Sequence, residues 1–411
     1  MLNEISETHL SYITLWYLVQ HSLSSFQKLM QYFGQAEDAI QSQNLALWQN
    51  LKLHKNHLER AQEFYSDLGQ QKFHHCLNKI KQHTDFILTD RDLYYPKQLM
   101  PYSDHPPILF GQGVLDNLSQ PQIAIVGSRK PSPHGKQVAY DFAYYLSEKG
   151  FYITSGLAQG IDEAAHQGAL KHQRTIAVVG TGLDQVYPNQ NQQLLQQILQ
   201  HHGTVISEFL PETKPLQHHF PRRNRIVSGL SLGILVAEAQ LGSGSLITAQ
   251  AAANQGKTTF AIPGHIYSEY HQGCHQLIRE GAILVDHPEQ IIEDLALATE
   301  WQANQHQHIV SSLSTHTAAP ANSPKAVVNN THHANVRQAE LLNQSLDEHT
   351  DVPEHLYALY QQLDWVGQDL DQLANILELD AAELTSALME LELMGFVIHQ
   401  NGLYLRCRAS H

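Results

Sequence analysis

IAIVGSRKPSPHG, residues 123–135, joins a short run of β-branched and apolar residues to a loop that carries Gly127, Ser128 and Arg129. Apolar runs of the same kind recur along the middle of the chain, at 151–156, 175–180, 203–208, 232–239, 258–264 and 282–286. Amphipathic stretches of helix length separate them. This alternation predicts a doubly wound, mostly parallel α/β sheet.

The segments on either side of this region differ from it in composition. Residues 1–82 have helical periodicity and few glycines or prolines, which predicts a small helical domain of the SAM or helix-hairpin-helix kind. Residues 85–120 carry Pro96, Pro101, Pro106 and Pro107 and predict an irregular connection. We therefore assign 1–82 to a helical domain and 83–298 to the α/β domain.

The last part of the chain predicts a linker and a second small domain. Residues 299–350 are rich in Ser, Thr, Ala, Asn, Gln and His and lack periodicity, as flexible linkers do. Residues 351–411 contain three amphipathic stretches, followed by two short apolar runs across Asn401 and Gly402. That order predicts a winged-helix-like domain.

Charge is distributed unevenly over the 411 residues, whose formal net charge is -15. Residues 121–290 hold 12 Lys and Arg against 12 Asp and Glu, whereas residues 345–411 hold 12 acids and only Arg406 and Arg408 as bases. An acidic field repels phosphate. We therefore expect any anion site in the middle of the chain, and protein contacts rather than DNA contacts for the last domain.

Composition argues against several other classes of protein. No signal peptide or membrane-length apolar run is present, which predicts a soluble cytoplasmic protein. Cys76, Cys274 and Cys407 lack any CxxC spacing, and the 28 histidines are scattered. QGKTT at 255–259 precedes a predicted strand, whereas a phosphate-binding P-loop follows one. We expect no metal, no cofactor and no catalytic residue.

Three loops and an arginine cluster indicate an anion site. The loop at Gly127–Arg129, SGLAQGID at 155–162 and LGSGSLIT at 241–248 each place Gly and Ser before a predicted helix, where backbone N–H groups favour anions. HFPRRNRIVSG, residues 219–229, places Arg222, Arg223, Asn224 and Arg225 after Pro221, at a predicted helix start. Because Phe220 offers a flat ring beside these groups, the set is suited to single-stranded nucleic acid.

The longest of these motifs are similar to those of the DprA (Smf) family of DNA-processing proteins. They are IAIVGSRKPSPHG, SGLAQGIDEAAHQGAL, TIAVVGTGLDQVYPNQN, ISEFLPETKPLQHHFPRRNRIVSGLS, AEAQLGSGSLITAQAAANQGKTTFAIPG and GCHQLIREGA, in the family's order over about 85–290. The resemblance implies an extended Rossmann-like domain that binds and protects single-stranded DNA, acts as a homodimer and helps load RecA during natural transformation. It implies no cofactor, and the last module resembles the family's winged-helix domain.

The resemblance also implies site residues. The family's GSR loop falls on Gly127, Ser128 and Arg129, its FPxRNR segment on Phe220, Arg223, Asn224 and Arg225, and a basic position near Lys257. With Arg222, these are the expected DNA-binding residues. The chain has Gln159, Gln217, Gly242 and Gln250 where family members often carry a basic residue, so the site is less basic than is usual.

Two alternatives stay open at this level. A nucleotide-processing enzyme of a related Rossmann-like family could use Glu238, at the end of a predicted strand, as a general acid or base, although the PGGxGT-type loop of such enzymes is absent. Alternatively, the arginines pair with Glu208 or Glu238 and only hold the sheet edge together. If they bind DNA instead, Arg129, Arg223 and Arg225 should converge on one strand's phosphates, and Arg223 should reach out of the core.

Overall fold

The computed structural model describes residues 5–296, 353–363, 368, 370–377, 380–394, 396–400 and 403–406. The predicted linker, 299–350, lies outside these residues, as do Cys407 and the Asn401–Gly402 turn. The described residues fall into two compact units, within 1–317 and within 318–411. None of the described helices is both long enough and apolar enough to cross a membrane.

The described residues up to His83 are mainly helical, as predicted. The helices are α1 (Glu7–Leu18), α2 (Leu23–Phe33), α3 (Ala36–Ala39), α4 (Lys55–Phe64) and α5 (Asp67–His83), with a 3₁₀ segment over Ser42–Leu51. Three of them begin at a serine whose hydroxyl accepts a backbone N–H of the first turn: Ser6, Ser22 and Ser66. Such caps satisfy N–H groups that have no partner inside the helix. The helices end next to the first strand, but their independence as a domain stays a prediction.

Nine described strands form one mixed sheet. They are β1 (Phe86–Thr89), β2 (Ile108–Gly113), β3 (Gln122–Gly127), β4 (Tyr152–Ser155), β5 (Thr175–Val178), β6 (Thr204–Ser207), β7 (Gly233–Glu238), β8 (Thr258–Ala261) and β9 (Ile283–Leu284). The spatial order is β1-β2-β6-β5-β4-β3-β7-β8-β9. Strands β3 to β9 run parallel to one another, whereas β2 is antiparallel to both of its neighbours, β1 and β6. The extended doubly wound fold is confirmed.

One expectation about this region is wrong: residues 85–120 are more than an irregular connection. Strand β2 pairs with β6 through Phe110 and Ser207, and β1 pairs with β2, so the segment adds two strands to the sheet. The four prolines lie between these strands, at 96–107, and leave both strands free to pair.

Helices cover both faces of the sheet because its central strands are apolar on both sides. They are α6 (Pro133–Glu148), α7 (Ile161–Ala169), α8 (Gln192–Gln200), α9 (His219–Leu230), α10 (Gly244–Asn254) and α11 (Gln272–Arg279). In β3, Ile123 and Ile125 pack with the cluster that includes α6 and α7, while Ala124 and Val126 pack with the cluster that includes α9 and α10. This alternation follows from the two-residue period of a strand.

The second unit has the winged-helix order of elements. The helices α12 (Glu354–Gln362), α13 (Leu370–Leu377) and α14 (Ala381–Leu393) precede the antiparallel strands β10 (Val397–Gln400) and β11 (Leu403–Arg406). A core of leucines with Phe396 and Val397 holds them together. The predicted winged-helix-like class is confirmed.

Candidate functional site

The strand order reverses between β3 and β7, and the loops that follow these two strands leave the same edge of the sheet. Ligands of open α/β sheets bind in the crevice outside such a switch point. Here a groove of ≈ 560 Å³ occupies it. The residues lining this switch-point groove come from 126–130, 156–162, 240–248 and the start of α9.

The groove brings together most of the residues expected from sequence. Its lining includes Gly127, Ser128, Arg129, Phe220, Arg223 and Asn224. Each of the three predicted loops contributes, because each follows a parallel strand and so emerges at the carboxyl edge. Gly242 and Gly244 have open space where a Cβ would stand, so a ligand can approach the backbone there.

Arg129 and Phe220 form one wall of the groove. The guanidinium carbon of exposed Arg129 lies 5.2 Å from the centroid of the half-buried Phe220 ring. Tyr187, which is 44% exposed, lies against the same ring with centroids 5.5 Å apart. A cation and two aromatic rings thus stand together at the surface, which suits phosphate contacts and base stacking.

Sequence reasoning missed Tyr187 and Lys130, which also line the groove. Tyr187 stands in the loop after β5, and an aromatic residue in a carboxyl-edge loop is a usable signal for base stacking. Lys130 directly follows Arg129 and is exposed. Both could have been found by asking which residues follow each predicted strand.

Arg223 contradicts the expectation that it reaches out of the core. Its side chain is 5% exposed, and it donates to the backbone carbonyls of Gly156 and Val178 and to the side-chain oxygen of Asn224. Burial lowers the pKa of Arg223 to about 10, against the opposing charge of Asp162. A Cβ at position 156 would collide with this guanidinium, so Gly156 makes room for Arg223 rather than for a phosphate.

Arg222 and Arg225 have a carboxylate partner outside the groove lining. Arg222 donates to Glu208 at 2.9 Å and 2.8 Å, and Arg225 donates to the same carboxylate at 2.6 Å. Glu208 is fully buried, and its backbone carbonyl accepts the indole N–H of Trp16 at 2.8 Å. Arg222 and Arg225 therefore pair with Glu208 and hold the sheet edge together, as the structural alternative predicted.

The arginines also stand deeper in the helix than expected. Helix α9 begins at His219, so Pro221 is its third residue and Arg222 to Arg225 follow the first three positions. Their expected place at the helix start is wrong because His219 and Phe220 already occupy it. The helix dipole and the free N–H groups attract anions mainly at the first turn. They therefore add little to anion binding at the positions of these arginine side chains.

Lys257 lies at the opposite edge of the sheet from Arg129. It immediately precedes β8, whereas Gly127 ends the parallel β3. Its ammonium lies 5.7 Å from the centroid of the Tyr102 ring, and burial lowers its pKa. The expectation that Lys257 joins the same site is wrong, because a residue before a parallel strand lies at the amino edge.

Glu238 is a buried structural residue at the end of β7. It is fully buried, and its two oxygens accept the backbone N–H of Ser132 at 2.8 Å and the hydroxyl of Ser132 at 2.6 Å. Because Ser132 is the N-cap of α6, this carboxylate fixes the loop that carries Arg129. Glu238 is therefore hydrogen-bonded to this loop and not to an arginine. A buried carboxylate that accepts two hydrogen bonds is poorly placed for acid-base catalysis.

Within the described ranges, no group of three or more His, Cys, Asp and Glu residues is arranged to hold a metal. Cys76 and Cys274 are free and buried, and burial raises the pKa of each thiol to about 12. A thiol with so high a pKa is protonated at neutral pH and unreactive.

Comparison with known proteins gives consistent matches over both units. Residues 86–296 match the family model described as DNA recombination-mediator protein A, and residues 348–402 match the DprA winged helix domain. The chain is 31% identical over 386 residues to the protein Smf of Synechocystis, covering 92% of this chain and 93% of that protein.

Two further relatives agree. The protein Smf of Escherichia coli is 42% identical over 245 residues, which are 59% of this chain and just under two thirds, 65%, of that protein. The crystal structure of DNA processing protein A from Streptococcus pneumoniae superposes with a TM-score of 0.59 at 35% identity, covering 71% of this chain and 98% of that chain. The fold, the order of motifs and these matches agree, and the chain belongs to the DprA (Smf) family.

Proposed function

We propose that this protein binds single-stranded DNA in the switch-point groove and acts as a DNA recombination mediator. The observation that carries the proposal is the wall formed by Arg129, Phe220 and Tyr187 above three glycine- and serine-containing loops. Phosphates would contact Arg129 and the loop N–H groups, while bases stack on the rings. Contacts of these two kinds carry little sequence information, so binding should show little base preference.

A gel-shift or fluorescence-anisotropy titration tests this proposal. A single strand should bind more tightly than a blunt duplex of the same length, because paired bases cannot stack on Phe220. Oligothymidine and a mixed sequence should bind alike. Equal affinity for the duplex and the single strand would contradict the proposal.

We also propose that the protein loads RecA onto the bound strand in the cytoplasm during natural transformation, without covalent chemistry of its own. Family membership supports this role, and the burial of Glu238 disfavours the nucleotide-processing alternative. Two assays separate the two functions. In the presence of this protein, RecA should assemble faster on strands coated with single-strand-binding protein. Incubation of the protein with nucleoside monophosphates should release no free base.

We propose a homodimer formed through the open edge of the sheet. Strand β9 pairs only with β8 among the described strands, and its Ile283 and Leu284 are 38% and 49% exposed. An exposed apolar edge strand favours association with another chain. Light scattering should give twice the chain mass, and Leu284→Lys should give a monomer. A monomeric wild type would refute the dimer without affecting DNA binding by the groove.

A further inference from the structure

A second cavity, of ≈ 920 Å³, adjoins the first turn of α9. We name it the α5 cavity. Its walls are the end of α1, helices α4 and α5, and the loop from Leu210 to His219. The two spaces meet at consecutive residues, because His219 lines the α5 cavity and Phe220 lines the groove.

Cations without a carboxylate partner line this cavity. Lys72 is paired with Glu63 at 2.7 Å, and Glu212 has Lys79 and His75 as partners. Arg60 and Lys214 form no ion pair with any residue in the described ranges, and Lys214 is exposed. The lining therefore keeps uncompensated positive charge, in a chain that is acidic overall.

Aromatic and imidazole rings also line the cavity. His218 is exposed and lies edge-on to His219, with centroids 4.5 Å apart, and Tyr17 faces Arg60 from α1. His219 is 6% exposed, and its ring interacts with the backbone of Gly180 and of Lys214. The ring is therefore part of the wall that holds the Lys214 loop in place.

We propose that the α5 cavity receives the continuation of the single strand beyond Phe220, with Lys214 and Arg60 contacting its phosphates. The positions of these residues support such a path, because exposed His218 and exposed Lys214 line the cavity and Phe220, two residues after His218, lines the groove. Cations beside rings are what a single strand requires of such a surface. This inference rests on the proposed binding of single-stranded DNA by the groove and extends its footprint to the helical part of the protein.

The test uses the full chain and two oligothymidines: one of about 6 nucleotides, near the lower end of the roughly 4 to 16 nucleotides that a single-strand site spans, and one of about 20, which exceeds that range. Lys214→Glu should weaken binding of the long strand and leave the short one unchanged. In Lys214→Ala the slope of log affinity against log salt should fall by about 0.7 for the long strand only. Lys171→Glu is the matched control, since Lys171 is an exposed lysine that follows α7 at the amino edge of the sheet.

Each result supports or overturns the inference. If Lys214→Glu leaves the long strand unchanged, or weakens both lengths equally, the cavity is not a path for the strand. Binding of thymidine monophosphate that depends on Lys214 and persists beside the bound long strand would assign the cavity to free nucleotides and overturn the inference. If the wild type fails to bind the short strand at all, the proposed function of the groove fails instead.

Discussion

The guanidinium carbon of Arg129 lies over the Phe220 ring, 5.2 Å from its centroid, although Arg129 stands in the loop after β3 and Phe220 in the first turn of α9. Each has its own support. Glu238 fixes the loop of Arg129 through Ser132, and Phe220 is the second residue of α9. The pair therefore requires little reorganisation on binding, which favours affinity.

Arg129 should supply a phosphate contact. Arg129→Ala should weaken single-strand binding and lower the salt slope by about 0.7, because one counterion-releasing contact is lost. Arg129→Lys should keep the slope but lose affinity, since lysine lacks the planar fork. Titrations at several salt concentrations measure both, with Lys171→Ala as the control at the far edge. An unchanged salt slope in Arg129→Ala would show that Arg129 makes no contact with the phosphates.

Phe220 should contribute stacking rather than charge. Phe220→Leu should cost about 1 to 3 kcal/mol of binding free energy, the range for one stacked base, and leave the salt slope unchanged. Phe220→Tyr keeps the ring and should bind like the wild type. Anisotropy titrations measure these affinities. If Phe220→Leu bound the single strand as tightly as the wild type, the ring would only pack against Tyr187.

Arg223 should stabilise the fold more than it binds DNA. Arg223→Met leaves the carbonyls of Gly156 and Val178 without this donor and removes the positive charge that favours ionised Asp162, so it should cost about 1 to 3 kcal/mol of unfolding free energy. Urea denaturation measures this loss. Adding Asp162→Asn should recover part of it, since the uncompensated charge is removed. A fully stable Arg223→Met with a reduced salt slope would restore the phosphate-contact hypothesis made from sequence.

Stability should fall in mild acid because of buried histidines. Burial lowers the pKa of His21 and His166 to about 3. Below pH 6.5 these two histidines are therefore protonated in the unfolded chain but still neutral in the folded protein. Their contribution is complete above pH 6.5 and is lost as the pH falls towards 3, at about 1.4 kcal/mol per pH unit for each histidine. Urea midpoints at several pH values measure the slope.

His166→Leu should make this slope shallower at little cost, because Thr175 retains its bond to the carbonyl of Ile153 and the unpaired Nε2 of His166 disappears. His105→Gln is the opposite control. The Asp90 carboxylate, 3.6 Å from the ring, raises the pKa of His105, so its contribution is present at low pH and is lost as the pH rises through the raised value. Its contribution is complete below pH 6.5, so its removal should lower stability there by a constant amount and leave the slope between pH 6.5 and 3 unchanged. An unchanged slope in His166→Leu would show that other groups govern acid stability.

Deletion of residues 351–411 should leave DNA affinity intact or slightly higher. This segment carries Arg406 and Arg408 as its only bases, and an acidic field opposes phosphate. Anisotropy with the shortened chain is the measurement, and light scattering checks that its oligomeric state matches that of the full chain. A tenfold weakening with that state unchanged would show that the acidic domain takes part in DNA binding.

The parallel sheet and its loops could be predicted from sequence because both depend on local patterns. Gly127, Ser128 and Arg129 follow an apolar run, and such runs in a parallel sheet must end at one edge. Lys257 could have been excluded by the same argument, since it precedes its strand. Strands β1 and β2 escaped detection because the four prolines between them dominate the composition of 85–120.

The roles of the arginines could not be predicted, because their partners are distant in sequence. Arg222 meets Glu208 at the end of β6, and Arg223 meets carbonyls in the loop after β4 and at the end of β5. Only the packing of α9 across the sheet brings these groups together. In a linear pattern, an arginine that binds a ligand and an arginine that binds a buried carbonyl look the same.

The hydrogen bond from Trp16 to the carbonyl of Glu208 affects how truncated proteins should be interpreted. Arg222 lies 5.4 Å from the centroid of the Trp16 ring, so the first helix covers the ion pairs that hold α9. A protein lacking residues 1–82 would expose those pairs to water and loosen the helix that carries Phe220. Weak DNA binding by such a truncated protein would follow from the displacement of α9. It would therefore not be evidence that the removed residues contact DNA.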